Sequence, residues 1–140
     1  MKGQKNINYA INPLSLLGLP RAQQNERSAL TLLALLNLSP GEKWQAAESP
    51  LIGITPIMDW VRDNYKKDYA PNTRERVRRQ TMHQFVDAGI AIYNPDDPSR
   101  SINSPKTFYQ IEPETLNLLR SFGTASWDKN IEKYLARRKT

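Results

Sequence analysis

The chain contains no cysteine, which excludes disulfides and thiolate metal sites and gives no sign of secretion. It has one histidine, His83, so a histidine-rich metal centre is excluded as well. A lone histidine in a helix is more often a packing or hydrogen-bonding group than a catalyst. Long apolar runs are also missing. The longest spans residues 29–38 and is interrupted by Thr31 and Asn37, whereas a membrane helix needs about 20 apolar residues. The first twenty residues offer only short pieces such as LSLLGL, broken by Gly18 and Pro20, and no signal peptide is apparent. These absences leave a soluble, cytoplasmic chain with no membrane partner as the expectation. What is present is 140 residues, one domain's worth, with 20 basic side chains against 14 acidic and a net charge of +6. Roughly 68–70% of the unfolded surface of a chain this size is buried on folding, so one core is feasible without staples. A modest positive excess suits a polyanionic partner without proving one.

The order of expected elements narrows the fold. Residues 1–12 are polar and read as loose, and Pro13–Leu19 reads as a short helix with proline in its first turn. Asn25 can cap a helix over Arg27–Leu36 that is apolar nearly all round, as a central core helix should be. Pro40 and Gly41 are its expected stop. Trp44 opens a short helical turn. Thr55 and Pro56 form an expected cap and first turn for an amphipathic helix ending near Tyr65. Asn72 begins the next helix, with Glu75 as a capping-box partner and Gly89 as the C-cap. Ile90–Tyr93 and Thr107–Ile111 read as strands, joined by the turn-rich loop NPDDPSRSINSPK. A helix over Glu112–Phe122 and a last one capped by Ser126, through the basic run to Thr140, complete the chain. The expected fold is therefore mainly α with a small β-hairpin: one winged helix-turn-helix domain over 1–140, with extra N- and C-terminal helices, a recognition helix at about 72–89 and a wing hairpin at about 90–111.

On the 72–89 helix, Val77, Thr81, Met82, Phe85, Val86 and Ala88 fall on one side, the expected core face. Arg76, Arg79, Gln80 and His83 follow i, i+3, i+4, i+7 spacing and share the opposite ridge. Arginine and glutamine are the residue types that bond guanine and adenine edges bidentately. Arg74 lies in the first turn, where phosphate is favoured. Arg78 points toward the buried flank and is expected to form a structural ion pair or clamp backbone. No carboxylate is expected to neutralise the ridge apart from Asp87 near His83. In the wing, Arg100, Asn103, Ser104 and Lys106 suit phosphate oxygens or a minor-groove edge, while Asp96 and Asp97 count against such contact at that end. The competing reading is an ordinary solvated basic helix beside a long hairpin loop.

At the level of whole words, YAPNTRERVRRQTMHQFVDAGI, then YNPDDPSR, then INSPKTFYQI are very similar to the N-terminal region of the PstI/BsuBI family of type II restriction endonucleases. Upstream, ALTLLALLNLSP, then Trp44, Ala46 and Ala47, then PLIGITPIMDWV follow the same family's opening, so the resemblance covers about Ala29 to Ile111. Arg76 stands where that pattern has threonine or a similar residue, and Ser101 where it has proline. The resemblance implies a winged-helix DNA-binding domain fused to a nuclease domain. It implies a Mg²⁺-dependent enzyme that cuts a short palindrome, typically CTGCAG, within a restriction–modification system. The implied contacts to double-stranded DNA are Asn72, Arg74, Arg76, Arg79, Gln80 and His83 from the helix, with Arg100, Asn103 and Lys106 from the wing. The parent enzyme is expected to be a homodimer and this stretch alone a monomer.

Catalytic residues are not expected here. Cleavage by such nucleases needs acidic metal ligands and a lysine in a PD…(D/E)xK arrangement. No lysine of this chain has Asp or Glu two positions before it, and the one Pro-Asp pair, Pro95-Asp96, lies in the turn-forming loop. The chain is therefore expected to carry neither a cofactor nor activity of its own, with the nuclease domain and its Mg²⁺ beyond Thr140. Two other readings stay open. One is a stand-alone winged-helix transcriptional regulator, paired through an apolar face of Trp127, Ile131, Tyr134 and Leu135. The other is a winged helix that binds protein.

Overall fold

The computed structural model describes residues 2–138. The first helix, α1 (Lys2–Leu16), occupies the stretch expected to be loose, and Pro13 lies inside it rather than at its start. The reason is packing. Ile7, Ala10 and Leu14 recur at helical spacing and are buried, an apolar stripe too sparse to stand out among the asparagines around it. Asn6 joins this helix to the rest of the core: its Nδ2 donates to the Ser39 carbonyl at 3.1 Å and to the Tyr65 hydroxyl at 3.2 Å.

A helix without a polar face is stable only inside, and α2 (Glu26–Leu35) is that helix, buried at every position from Ser28 to Leu35. Asn25 caps it as expected, accepting from the Ser28 N–H at 2.9 Å. Its end differs from expectation. Asn37 adopts a left-handed φ of 51°, the Leu38 N–H returns to the Leu33 carbonyl, and the Asn37 N–H returns to that of Ala34. This Schellman closure stops the helix before Pro40 is reached. Trp44–Ala46 forms the expected short turn.

α3 (Ile54–Tyr65) buries Ile57, Val61 and Tyr65 against α2. Gly53, not Thr55, occupies its cap position, so the threonine lies one residue inside the helix. The recognition-type helix, α4 (residues 73–87), is continuous but not uniform. Thr73–Arg76 and His83–Asp87 are α-helical, while Val77–Met82 between them form a π turn. Asn72 has helical φ and ψ of −69° and −16° and makes no capping bond. Glu75 turns to arginines further along the helix instead of back to the chain entry. Gly89 ends the helix as expected, at φ +72°.

The wing strands are β1 (Ala91–Tyr93) and β2 (Tyr109–Ile111), antiparallel with Ile92 opposite Gln110. On its other edge Tyr109 exchanges both backbone hydrogen bonds with Ile52, at 2.8 and 2.9 Å. The connection between α2 and α3 thus anchors the hairpin to the helical core. α5 (Pro113–Leu119) is capped by the Glu112 carboxylate, which accepts from the Glu114 and Thr115 N–H groups. α6 (Trp127–Arg137) follows, with Ser126 in helical backbone geometry and making no side-chain cap. The expected extension through residues 139–140 lies outside the described residues.

The face offered above as a dimer surface is largely engaged within the chain. Ile131 and Tyr134 are buried, and the Tyr134 hydroxyl is 2.7 Å from Thr115 Oγ1. Trp127 packs edge-on to Phe122, with ring centroids 4.9 Å apart. Leu135 is exposed. No helix among the described residues is long and apolar enough to cross a membrane. The architecture is mainly helical with a two-stranded antiparallel hairpin, a winged helix-turn-helix carrying additional helices before and after it.

Candidate nucleic-acid interface

The outward face of α4 holds the cationic groups and its inward face holds the core. Val77, Thr81, Met82 and Phe85 are buried. Asn72, Arg74, Arg76, Arg79, Gln80 and His83 are all exposed, so the expected ridge faces solvent across the π turn. Two ion pairs modify it. Glu75 Oε2 lies 3.0 Å from Arg79 Nε and 3.2 Å from Arg78 Nη2. The expectation that no carboxylate faces Arg79 is therefore corrected: Glu75 sits four residues before it, on the same side of the helix. Both partners are largely exposed, and such pairs contribute little, about 0.3–0.5 kcal/mol, so Arg79 can exchange the carboxylate for another anion. His83 Nε2 is 3.1 Å from Asp87 Oδ2.

Arg78 has the role its position implied. Its Nη1 donates to the Asn103 carbonyl at 3.1 Å, tying the helix to the tip region of the wing. Burial pushes the pKa of the Tyr109 hydroxyl beneath it upward, against the opposing pull of the Arg78 charge. A groove of about 430 Å³ runs between helix and wing, lined by Arg78, Arg79, His83, Ile102, Asn103 and Tyr109.

The wing loop is built around Asn94, which the sequence reading passed over. Asn94 is fully buried with φ of 49°. Its Nδ2 donates to the Arg100 carbonyl at 3.0 Å and the Ser101 carbonyl at 3.4 Å. Its Oδ1 accepts from the Phe108 N–H and from Arg100 Nη1, each at 3.0 Å. Arg100 is turned into the loop: it meets Asp96 at 3.1 Å and Asp97 at 3.9 Å, and stacks over Phe108. The carboxylate pair therefore serves this guanidinium. The Ser99 hydroxyl, donating to Asp97 Oδ1 at 2.6 Å, is the main cause of a lowered Asp97 pKa. Asn103 and Lys106 remain exposed. The hint available in advance was the Asn-Pro pair just after a strand, a turn signal that gives no indication of burial.

A second group missed from sequence is Arg27, in the first turn of α2. Its Nε donates to Thr81 Oγ1 at 3.1 Å and its Nη2 to Gln80 Oε1 at 3.2 Å. These partners lie more than fifty residues away along the chain, and no local pattern joins them. Among the described residues no three histidine, aspartate or glutamate side chains are grouped as a metal site. The carboxylates of the described residues are thus not gathered in the way a nuclease's magnesium centre requires.

The family model described as the BsuBI/PstI restriction endonuclease HTH domain matches residues 4–140. The chain is 58% identical over 135 residues to type II restriction enzyme BsuBI of Bacillus subtilis, covering 96% of this chain and 43% of that protein. It is 40% identical over 124 residues to type II restriction enzyme AplI of Arthrospira platensis, covering 89% of this chain and 38% of that one. The solved structure of SdaI restriction endonuclease superposes with a TM-score of 0.88 at 36% identity, over 94% of this chain and 41% of that one. The chain thus spans about two fifths of the length of these relatives.

Proposed function

The chain belongs to the BsuBI/PstI restriction endonuclease HTH domain family, and from that premise we propose that it is the N-terminal domain through which a type II restriction endonuclease holds duplex DNA. The observation that carries this reading is the exposed row of Arg74, Arg76, Arg79, Gln80 and His83 on α4, beside a wing tethered by Arg78. Helices of this kind enter the major groove while neighbouring elements contact the backbone. Arg79 and Gln80 are the proposed base-reading pair. Asn72, Arg74, Arg76, Asn103 and Lys106 are proposed backbone contacts, and His83 lies over the same groove. Arg100 contributes by shaping the wing, because two carboxylates already surround it.

The parent enzyme, in this reading, cuts a CTGCAG-like palindrome as a homodimer within a restriction–modification system. Magnesium would be held by its nuclease domain and would supply charge neutralisation at the scissile phosphate. This chain's part is to position and select DNA.

The test is fluorescence anisotropy of the chain with a CTGCAG duplex and a scrambled duplex across a salt series. Tighter binding to CTGCAG, weakening steeply with salt as counterions are released, is the expected result; absence of binding to either duplex at low salt overturns the reading. Arg79→Ala should cost about 1–3 kcal/mol on the preferred site and relax its specificity; an equal loss on every sequence would make Arg79 a phosphate contact only. Lys106→Ala should weaken binding uniformly and reduce the salt slope by about one ion. An unchanged slope removes Lys106 from the interface.

A further inference from the structure

We infer that Arg27 is a positioning residue that turns Gln80 into a donor-only reader, selecting a base edge rich in acceptors, guanine above adenine. This rests on the DNA reading above. Arg27 belongs to the core helix α2, yet its guanidinium reaches the outward face of α4. Its Nε is held by the hydroxyl of Thr81, which is fully buried. A guanidinium is a rigid planar fork, so anchoring Nε also fixes where Nη2 lies, and Nη2 meets Gln80 Oε1 at 3.2 Å. The neighbouring carboxylate, Glu26, is paired with Lys67 at 3.1 Å.

Arginine can only donate hydrogen bonds. The Gln80 amide can therefore meet it only through its oxygen, which settles the orientation of that amide: Oε1 toward Arg27, Nε2 away from it. A free glutamine pairs with adenine by accepting from N6 while donating to N7. With its oxygen turned to Arg27, Gln80 presents chiefly two N–H donors. Their complement in the major groove is an edge of acceptors, and guanine offers both N7 and O6 there. Lysine at position 27 would keep the charge but lose the fork that reaches Thr81 and Gln80 together.

The experiment is selection from a library of duplexes randomised over six base pairs, using the wild-type chain and the Arg27→Ala, Arg27→Lys, Gln80→Ala and Arg27→Ala/Gln80→Ala variants. The wild-type chain should prefer guanine at the position that Gln80→Ala relaxes. Arg27→Ala and Arg27→Lys should relax that same position by about tenfold, within the range of one base contact, and the double variant should be no worse than Gln80→Ala. Because Arg27→Ala leaves the Thr81 hydroxyl buried without this partner, NMR of the Gln80 side-chain amide in the free chain provides a second measurement. The Gln80 Nε2 group should relax as part of an ordered side chain in the wild-type chain and as a mobile one in both Arg27→Ala and Thr81→Val; equal mobility in all three overturns the inference. Uniform loss on all duplexes, restored by Arg27→Lys, would make Arg27 a phosphate contact and overturn the inference. A discriminating wild-type chain whose preference survives Arg27→Ala overturns the inference alone. A wild-type chain that binds no duplex overturns the DNA reading and this inference with it.

Discussion

Replacing Asn94 with alanine should destabilise the protein by about 2–4 kcal/mol and loosen the wing from Asn94 to Phe108. Four hydrogen bonds converge on this fully buried side chain. Each is worth about 0.5–1.5 kcal/mol net, and a buried group left unpaired costs about 1–3 kcal/mol. Alanine leaves the Phe108 N–H and the Arg100 carbonyl without their side-chain partner, while the Ser101 carbonyl keeps the Thr107 hydroxyl and water can reach part of the loop. Its backbone must also hold φ near 49°, a region that asparagine tolerates better than alanine. The combined effect corresponds to a fall in melting temperature on the order of 10 °C. Hydrogen exchange should show protection lost between residues 94 and 108 and kept in α2. Asn94→Gly separates the two causes, since it relieves the backbone and still removes the network. If Asn94→Gly melts with the wild-type chain, the hydrogen bonds contribute nothing and the account is wrong.

Gly89→Ala should cost about 2–3 kcal/mol. The left-handed step at φ +72° accounts for about 1–2 kcal/mol of this for any residue with a Cβ. The remainder comes from Arg138. A Cβ at position 89 would press into the Arg138 guanidinium, which donates to the Ala88 and Gly89 carbonyls and to Glu112, and lies 4.2 Å over the Tyr134 ring. A flexible arginine can withdraw, but only by giving up those bonds to the end of α4. A double-mutant cycle with Arg138→Ala isolates this part. The cost of Gly89→Ala should shrink by about 0.5–1 kcal/mol in the Arg138→Ala background, a typical coupling for residues in contact. Equal costs in both backgrounds would show that the guanidinium does not feel the substitution.

These two sites show which parts of the molecule are legible in sequence. Burial of Leu30, Leu32 and Leu33 could be read directly, because an apolar residue needs only an interior and not a specific partner. Gly89 was legible because few residues accept its backbone geometry. The buried and exposed sides of α4, and the clamp made by Arg78, followed from helical periodicity. The caps were less legible. Thr55, Asn72 and Ser126 are good capping residue types, but capping is decided by backbone geometry, and Asn72 and Ser126 have helical dihedrals. Glu75 had two possible uses, back to the helix start or forward to Arg78 and Arg79, and the forward pairs prevail. Asn94 and Arg27 were illegible because their meaning lies in partners assembled by the tertiary fold. The helix α1 was missed for a similar reason: its few apolar side chains gain significance only against α2.

The π turn at Val77–Met82 has a consequence for how this surface can change over generations. Its wider i→i+5 bonding accommodates an extra residue within an otherwise α-helical element. A lineage losing one residue there could close the turn to ordinary bonding while keeping the start of the helix beside α3 and its end beside the wing. Length changes are usually tolerated in loops; here an outward-facing helix has the same latitude. A single codon deletion there would take one side chain out of the turn while the outward positions before and after it keep their register, altering the middle of the face without re-registering the flanking turns.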